Sequence, residues 1–222
     1  VSRLLALALL AVCLGAAACG GSGAKSTAPA KRAAAAAPSQ TCRKVSRPAP
    51  KAETAKRPGG RLAAGKAFTV TLQTNCGAIG IRLATGRAPK TAASFASLVR
   101  QGFYDGLTFH RIVPGFVIQG GDPKGDGQGG PGYQIVEKPP SRLRYTRGVV
   151  AMAKTQADPP GASGSQFFIV TGPDAQLPPD YALVGKVKSG LDAVDRIGAV
   201  RTGPEEQPAT PVVIEKATLS GS

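Results

Sequence analysis

FHRIVPGFVIQGG, residues 109–121, holds two apolar runs of strand length on either side of Pro114-Gly115. β-Branched and aromatic residues around a Pro-Gly pair predict two strands, Thr108–Val113 and Phe116–Gln119, joined by a turn. The chain's one histidine, His110, and its neighbour Arg111 interrupt what otherwise has the composition of barrel core. A lone histidine cannot build a metal cluster and the chain has no CxxC pair, so neither a metal nor a cofactor is expected.

Working outward, FTVTLQTN from Phe68 alternates with period two and puts Val70 and Leu72 on one face; Ala78–Leu83 alternates again after Asn75-Cys76-Gly77. The pair predicts a hairpin. Pro89 suits the first turn of a helix whose stripe is Ala92, Phe95, Ala96, Leu98 and Val99, with Gly102 at its stop. Residues 120–132 form a long glycine-rich loop. Further strands are expected at Gly148–Ala153, Gln166–Thr171, Leu183–Lys188 and Val212–Leu219, and a second helix at Leu191–Ile197. Many short strands with two isolated helices point to a mainly β fold, a closed or nearly closed antiparallel barrel plugged by helices.

The chain has 222 residues and a net charge of +15, but residues 20–66 alone hold eleven Lys/Arg against one acid, Glu53. Basicity concentrated in an Ala/Pro/Ser-rich segment without aromatics reads as a solvated tether, not as a nucleic-acid reader. With almost no large apolar side chains, residues 20–66 are expected to be a disordered linker. Ahead of them, Arg3 and LLALALLAVCLGAAAC read as a signal peptide over residues 1–19. Its small-residue end runs into Cys19, in the manner of a lipobox. The expectation is an exported protein anchored to the outer face of a membrane by a lipid on Cys19, with plain secretion as the alternative. Cys13 would leave with the signal, and the remaining thiols, Cys42 and Cys76, are expected to pair in an oxidising compartment. Residues 67–222 make the folded domain, with a monomer as the default state.

Several motifs fail on context. Gly125–Gly130 satisfies GxGxxG, but Pro131-Gly132 follows at once and no helix can open there. Asp122 and Asp126 suggest a calcium loop, yet Lys124 takes a ligand position and Tyr133 stands where the closing Glu belongs. Ser163-Gly164-Ser165 is not a nucleophile elbow.

FHRIVPGFVIQGGDPKGDGQGGPG, followed by GVVAMA from Gly148, GSQFFI from Gly164 and LVGKV from Leu183, strongly resembles the cyclophilin family of peptidyl-prolyl cis-trans isomerases in block order and spacing. The resemblance covers about residues 67–220. It implies an eight-stranded antiparallel barrel capped by two helices, and a protein that accelerates rotation about X–Pro bonds; together with the leader this gives proline-containing segments of exported proteins as the expected substrates. The alternative is a groove that binds such segments as a chaperone or scaffold with little turnover. By resemblance, Arg111 is the catalytic residue. Phe116, Val117, Phe168 and Leu177 form the seat of the proline ring. Gln119 and Gln166 hold the substrate backbone, Ala153 lies on the groove wall, and Tyr181 faces the substrate. Gln176 stands where the family carries a tryptophan.

The residues suit that chemistry. Amide resonance sets a barrier of about 18–20 kcal/mol, so a fixed cationic donor aimed at the prolyl nitrogen lowers it as the bond twists. Arginine stays charged and has a rigid planar fork. No proton transfer is needed, which leaves His110 with a structural part.

Overall fold

Alternation within each predicted strand becomes alternation across a closed wall. The computed structural model describes residues 41–51, 54–63 and 65–221. In chain order its elements are β1 (Phe68–Thr74), β2 (Gly77–Leu83), α1 (Pro89–Arg100), β3 (Leu107–Val113), β4 (Val117–Asp122), β5 (Ile135–Val136), β6 (Val149–Met152), β7 (Ala162–Ser163), β8 (Phe167–Val170), β9 (Leu183–Ser189), α2 (Leu191–Gly198) and β10 (Val213–Gly221). Eight strands close as an antiparallel barrel in the order β1-β10-β3-β4-β8-β6-β9-β2. The two-residue strands β5 and β7 pair apart from it. Neither lies among the strands expected from the sequence, because two residues are too few for any periodicity.

Val70, Leu72, Ile79, Ile81, Phe109, Ile112, Ile118, Val150, Met152, Phe167 and Ile169 are all 0–1% exposed and form one apolar cluster, so the barrel is filled with side chains. Phe95 and Tyr104 meet Phe167 edge-on at centroid distances of 5.4 and 5.5 Å. Helix α1 begins at Pro89 as expected. It has no side-chain cap of its own; the Glu137 carboxylate accepts from the Lys90 and Thr91 amides instead, which satisfies donors a helix start leaves open.

The decisive hairpin holds a local surprise. Val113 accepts from the Phe116 amide across Pro114-Gly115, with Gly115 at φ 71°, the turn that a Pro-Gly pair encodes. Beyond it the β3–β4 ladder is regular for Val113↔Val117, Ile112↔Ile118 and Arg111↔Gln119, then skips His110 to pair Phe109↔Gly120. In a regular strand Phe109 and Arg111 would share a face. The bulge at His110 lets Phe109 and Ile112 both enter the core while Arg111 points away from it. A second shift follows on the partner strand, where Gly121 is skipped between Phe109↔Gly120 and Thr108↔Asp122; it has φ 88°, and a Cβ there would lie 2.6 Å from the Ser165 carbonyl oxygen.

Residues 41–63 correct the expectation of a disordered linker over their described part. They run along the barrel as a strap without regular secondary structure. Cys42 and Cys76 form a disulfide. The amides of Arg43, Lys51 and Ala55 donate to the carbonyls of Asn75, Pro123 and Pro131 at 2.7–3.0 Å. The composition rule fails because it counts the strap's own apolar side chains, whereas the strap is held by a covalent bond, by backbone groups and by the charged side chains of Arg43, Lys51 and Arg57. Residues 1–40, including the leader and Cys19, lie outside the described residues.

Candidate active site

Strand register builds the site. Arg111 lies opposite Gln119, Gln119 opposite Phe168, and Phe168 opposite Ala151, a single row across β3, β4, β8 and β6. Residues of this row alternate with those filling the barrel, so the row faces away from the interior. A second apolar cluster grows on that side from Val117, Phe168, Tyr145, Ala151 and Leu183, with Phe116, Ala153, Leu177 and Tyr181 packed against it.

A cleft of about 150 Å³ opens there, lined by Arg111, Phe116, Val117, Gln119, Ala153, Lys154, Phe168, Leu177 and Tyr181. It is a seat for a small ring, below the size of sites that enclose drug-sized ligands. Phe168, only 4% exposed, gives the apolar surface and meets the Tyr181 ring edge-on at 5.4 Å. Tyr181 is held through its backbone: the buried Tyr145 hydroxyl donates to its carbonyl at 2.6 Å and accepts from its amide at 2.9 Å. Burial pushes the Tyr145 hydroxyl up to about 12, so it keeps its proton for that bond at neutral pH.

The polar side is a chain of side-chain hydrogen bonds. Arg111 Nη1 donates to Gln119 Oε1 at 3.4 Å, Gln119 Nε2 to Gln166 Oε1 at 3.0 Å, and Gln166 Nε2 to the carbonyls of Gly127 and Gly129. Gln166 therefore does not line the cleft. It lines an adjoining hollow of about 320 Å³ walled by Gly127–Gln134, and its amide ties the glycine-rich loop to the row that carries Arg111. Asp122 shapes that loop by accepting from the Lys124 and Gly127 amides. Gly129 must pass it closely, since a Cβ there would lie 1.9 Å from Asp122 Oδ1.

His110 is 7% exposed, and neither ring nitrogen has a hydrogen-bond partner in the structure. Burial lowers its pKa, so the ring is neutral at pH 7. It sits at the bulge beside the working face and does not line the cleft.

Residues 69–219 match the family described as cyclophilin type peptidyl-prolyl cis-trans isomerase/CLD. The chain belongs to the cyclophilin family of peptidyl-prolyl cis-trans isomerases. It is 42% identical over 152 residues to a peptidyl-prolyl cis-trans isomerase of Schizosaccharomyces pombe, covering 67% of this chain and 96% of that protein. It is 40% identical over 156 residues to the human peptidyl-prolyl cis-trans isomerase-like 1, covering 68% and 92%. A crystal structure of a Cryptosporidium parvum cyclophilin, determined in the presence of the dipeptide Ala-Pro, superposes with a TM-score of 0.64 at 30% identity, over 68% of this chain and 98% of that one.

These relatives correct one expectation. They are isomerases of eukaryotes, not bacterial lipoproteins, and they overturn the exported, lipid-anchored localisation read from the leader. No helix among the described residues is long and apolar enough to cross a membrane.

Two charged residues at this cyclophilin's site went unread in the sequence. Lys154 lines the cleft with its ammonium 5.6 Å from the Tyr181 ring centroid, and its place directly after Ala153 was a usable signal. Glu206 accepts from Arg111 Nε at 2.5 Å from 95 positions away, and no local pattern marks it.

Proposed function

We propose that this isomerase seats the proline ring of an exposed X–Pro segment on Phe168 and uses Arg111 as the catalytic donor to the prolyl nitrogen. One observation carries the reading: Arg111, Gln119 and Phe168 are consecutive members of one cross-strand row, so a cationic donor and an apolar ring seat open on the same small cleft. The presence of Ala-Pro with the related Cryptosporidium parvum protein supports a proline-bearing ligand. Phe116, Val117 and Leu177 complete the apolar wall, Tyr181 and Ala153 flank it, and Gln119 holds the substrate carbonyl. Gln166 acts from behind by holding Gln119.

As the bond twists, the nitrogen lone pair leaves conjugation and becomes an acceptor. A guanidinium aimed there binds the twisted amide more strongly than the planar one, and only such a difference accelerates. Taking tens of seconds to milliseconds is roughly 10⁴–10⁵-fold, about 5.5–7 kcal/mol. A charge-assisted bond in a partly desolvated cleft, together with orientation, is of that order. The client is any chain with an accessible proline, and the role is assistance in protein folding.

The test is a proline-limited peptide assay on the full chain. Arg111→Ala is expected to lose about 10²–10³-fold in kcat/KM, mostly in kcat. Arg111→Lys, which keeps the charge without the planar fork, should fall between. Undiminished turnover by Arg111→Ala would refute the assignment.

A further inference from the structure

The loop after α2 places a carboxylate on Arg111 at some conformational expense. Between Arg201 and Ala209 the chain doubles back: the Ala209 amide donates to the Arg201 carbonyl, the Gly203 amide to the Gln207 carbonyl, and Thr202 bridges to Pro208. At its tip, Glu205 and Glu206 lie at φ 57° and 61°. Two successive non-glycine residues in the left-handed region are disfavoured by their Cβ atoms. Such a conformation persists where its surroundings enforce it, and it is common beside working sites. Here its result is specific. Glu206 Oε2 accepts a hydrogen bond from Arg111 Nε–H, while Nη1 donates to Gln119.

The guanidinium is thereby gripped on two edges, and its plane is set. Both protons of Nη2 and the second proton of Nη1 are left for the cleft. Without Glu206 the one remaining side-chain hydrogen bond of Arg111 among the described residues is the 3.4 Å bond to Gln119, on a side chain 36% exposed and rich in rotamers. The carboxylate also offsets part of the positive charge. Both partners are about two-fifths exposed, so solvent screens that loss, whereas misplacing a catalytic group by about 1 Å costs up to ~10²-fold. Orientation outweighs charge.

We propose that Glu206 is a positioning residue for Arg111, fixing the guanidinium plane against the cleft through Nε. This rests on the assignment of Arg111 as catalytic donor, and the experiment keeps the two apart. On the full chain, kcat and KM are measured for a proline peptide with Glu206→Ala, Glu206→Gln, Glu206→Asn and Arg111→Ala. Glu206→Ala is expected to lower kcat about tenfold with KM within about twofold. Glu206→Gln retains an oxygen acceptor of the same reach and should recover most of the loss. Glu206→Asn is one methylene too short to reach Nε but tolerates the left-handed backbone, so it should melt no lower than wild type and still lose kcat. That separates positioning from folding. Wild-type or raised kcat in Glu206→Asn, a loss confined to KM, or no recovery in Glu206→Gln would overturn the proposal. Undiminished kcat in Arg111→Ala would overturn the underlying assignment instead, whatever the Glu206 variants do.

Discussion

Replacing Cys42 by serine tests whether the strap is part of the fold or only stapled to it. The disulfide spans 34 positions, and a closed loop of that length removes about 4 kcal/mol of chain entropy from the unfolded state. Opposing this is the entropy of ordering the strap. Its backbone hydrogen bonds to Asn75, Pro123 and Pro131, together with the side-chain bonds of Arg43, Lys51 and Arg57 and the Gln101 amide on Lys56, at net about 1 kcal/mol or less each, must offset the ordering of every residue between them. Once the staple is cut the balance moves toward release, while the barrel, which buries its own core, stays folded. Cys76 remains as a buried thiol, 4% exposed, and a thiol is tolerated there as a small apolar group. The strap carries Arg43, Lys44, Arg47, Lys51, Lys56, Arg57 and Arg61, so trypsin reports its release directly. Cys42→Ser is expected to be cut between 43 and 61 at least tenfold faster than wild type under native conditions, leaving a resistant core that starts near Phe68. The barrel's unfolding free energy should fall by less than the full ~4 kcal/mol, because the freed strap recovers entropy. The loop held by Ala55 at Pro131 and by Arg57 at Gln134 also lines the hollow beside the cleft, so KM should rise modestly with kcat retained. Equal tryptic protection of the strap in mutant and wild type would refute the reasoning.

Acid sensitivity should trace to the bulge. The pKa of His110 is lowered in the fold, chiefly by burial, with Arg111 adding to this and Asp122 and Asp126 opposing it. The unfolded chain therefore takes up the proton first. Stability is complete above about pH 6.5, falls as the pH drops below that, and levels off under the folded pKa. Urea titrations at pH 7.5 and 5.5 should show a loss in wild type that is reduced in His110→Gln; an identical loss in both would contradict this origin. Tyr145→Phe strips the Tyr181 amide and carbonyl of their shared partner, with an expected cost of about 1–3 kcal/mol and a raised KM at nearly constant kcat. An unchanged KM would show that Tyr181 does not depend on that hydroxyl.

Much of this protein follows from its sequence alone. Period-two runs such as FTVTLQT produce strands because one face must be buried and the other need not be. Pro89 starts α1 and Pro114-Gly115 turns the β3–β4 hairpin because their backbone preferences are local. The blocks around Arg111, Gln119 and Phe168 were legible through their resemblance to the cyclophilin family, because each block is a short contiguous run of the sequence. Tertiary structure alone decided the rest. Period two would put Arg111 on the same face as Phe109, and only the bulge at His110, set by pairing with Gly120 and Gln119, turns it toward the cleft. Glu206 reaches Arg111 by loop closure across 95 positions, which no local pattern records. The strap looked like disordered linker because composition measures what a segment can bury by itself, while this one is fixed by a disulfide and by backbone partners that exist only once the barrel has formed.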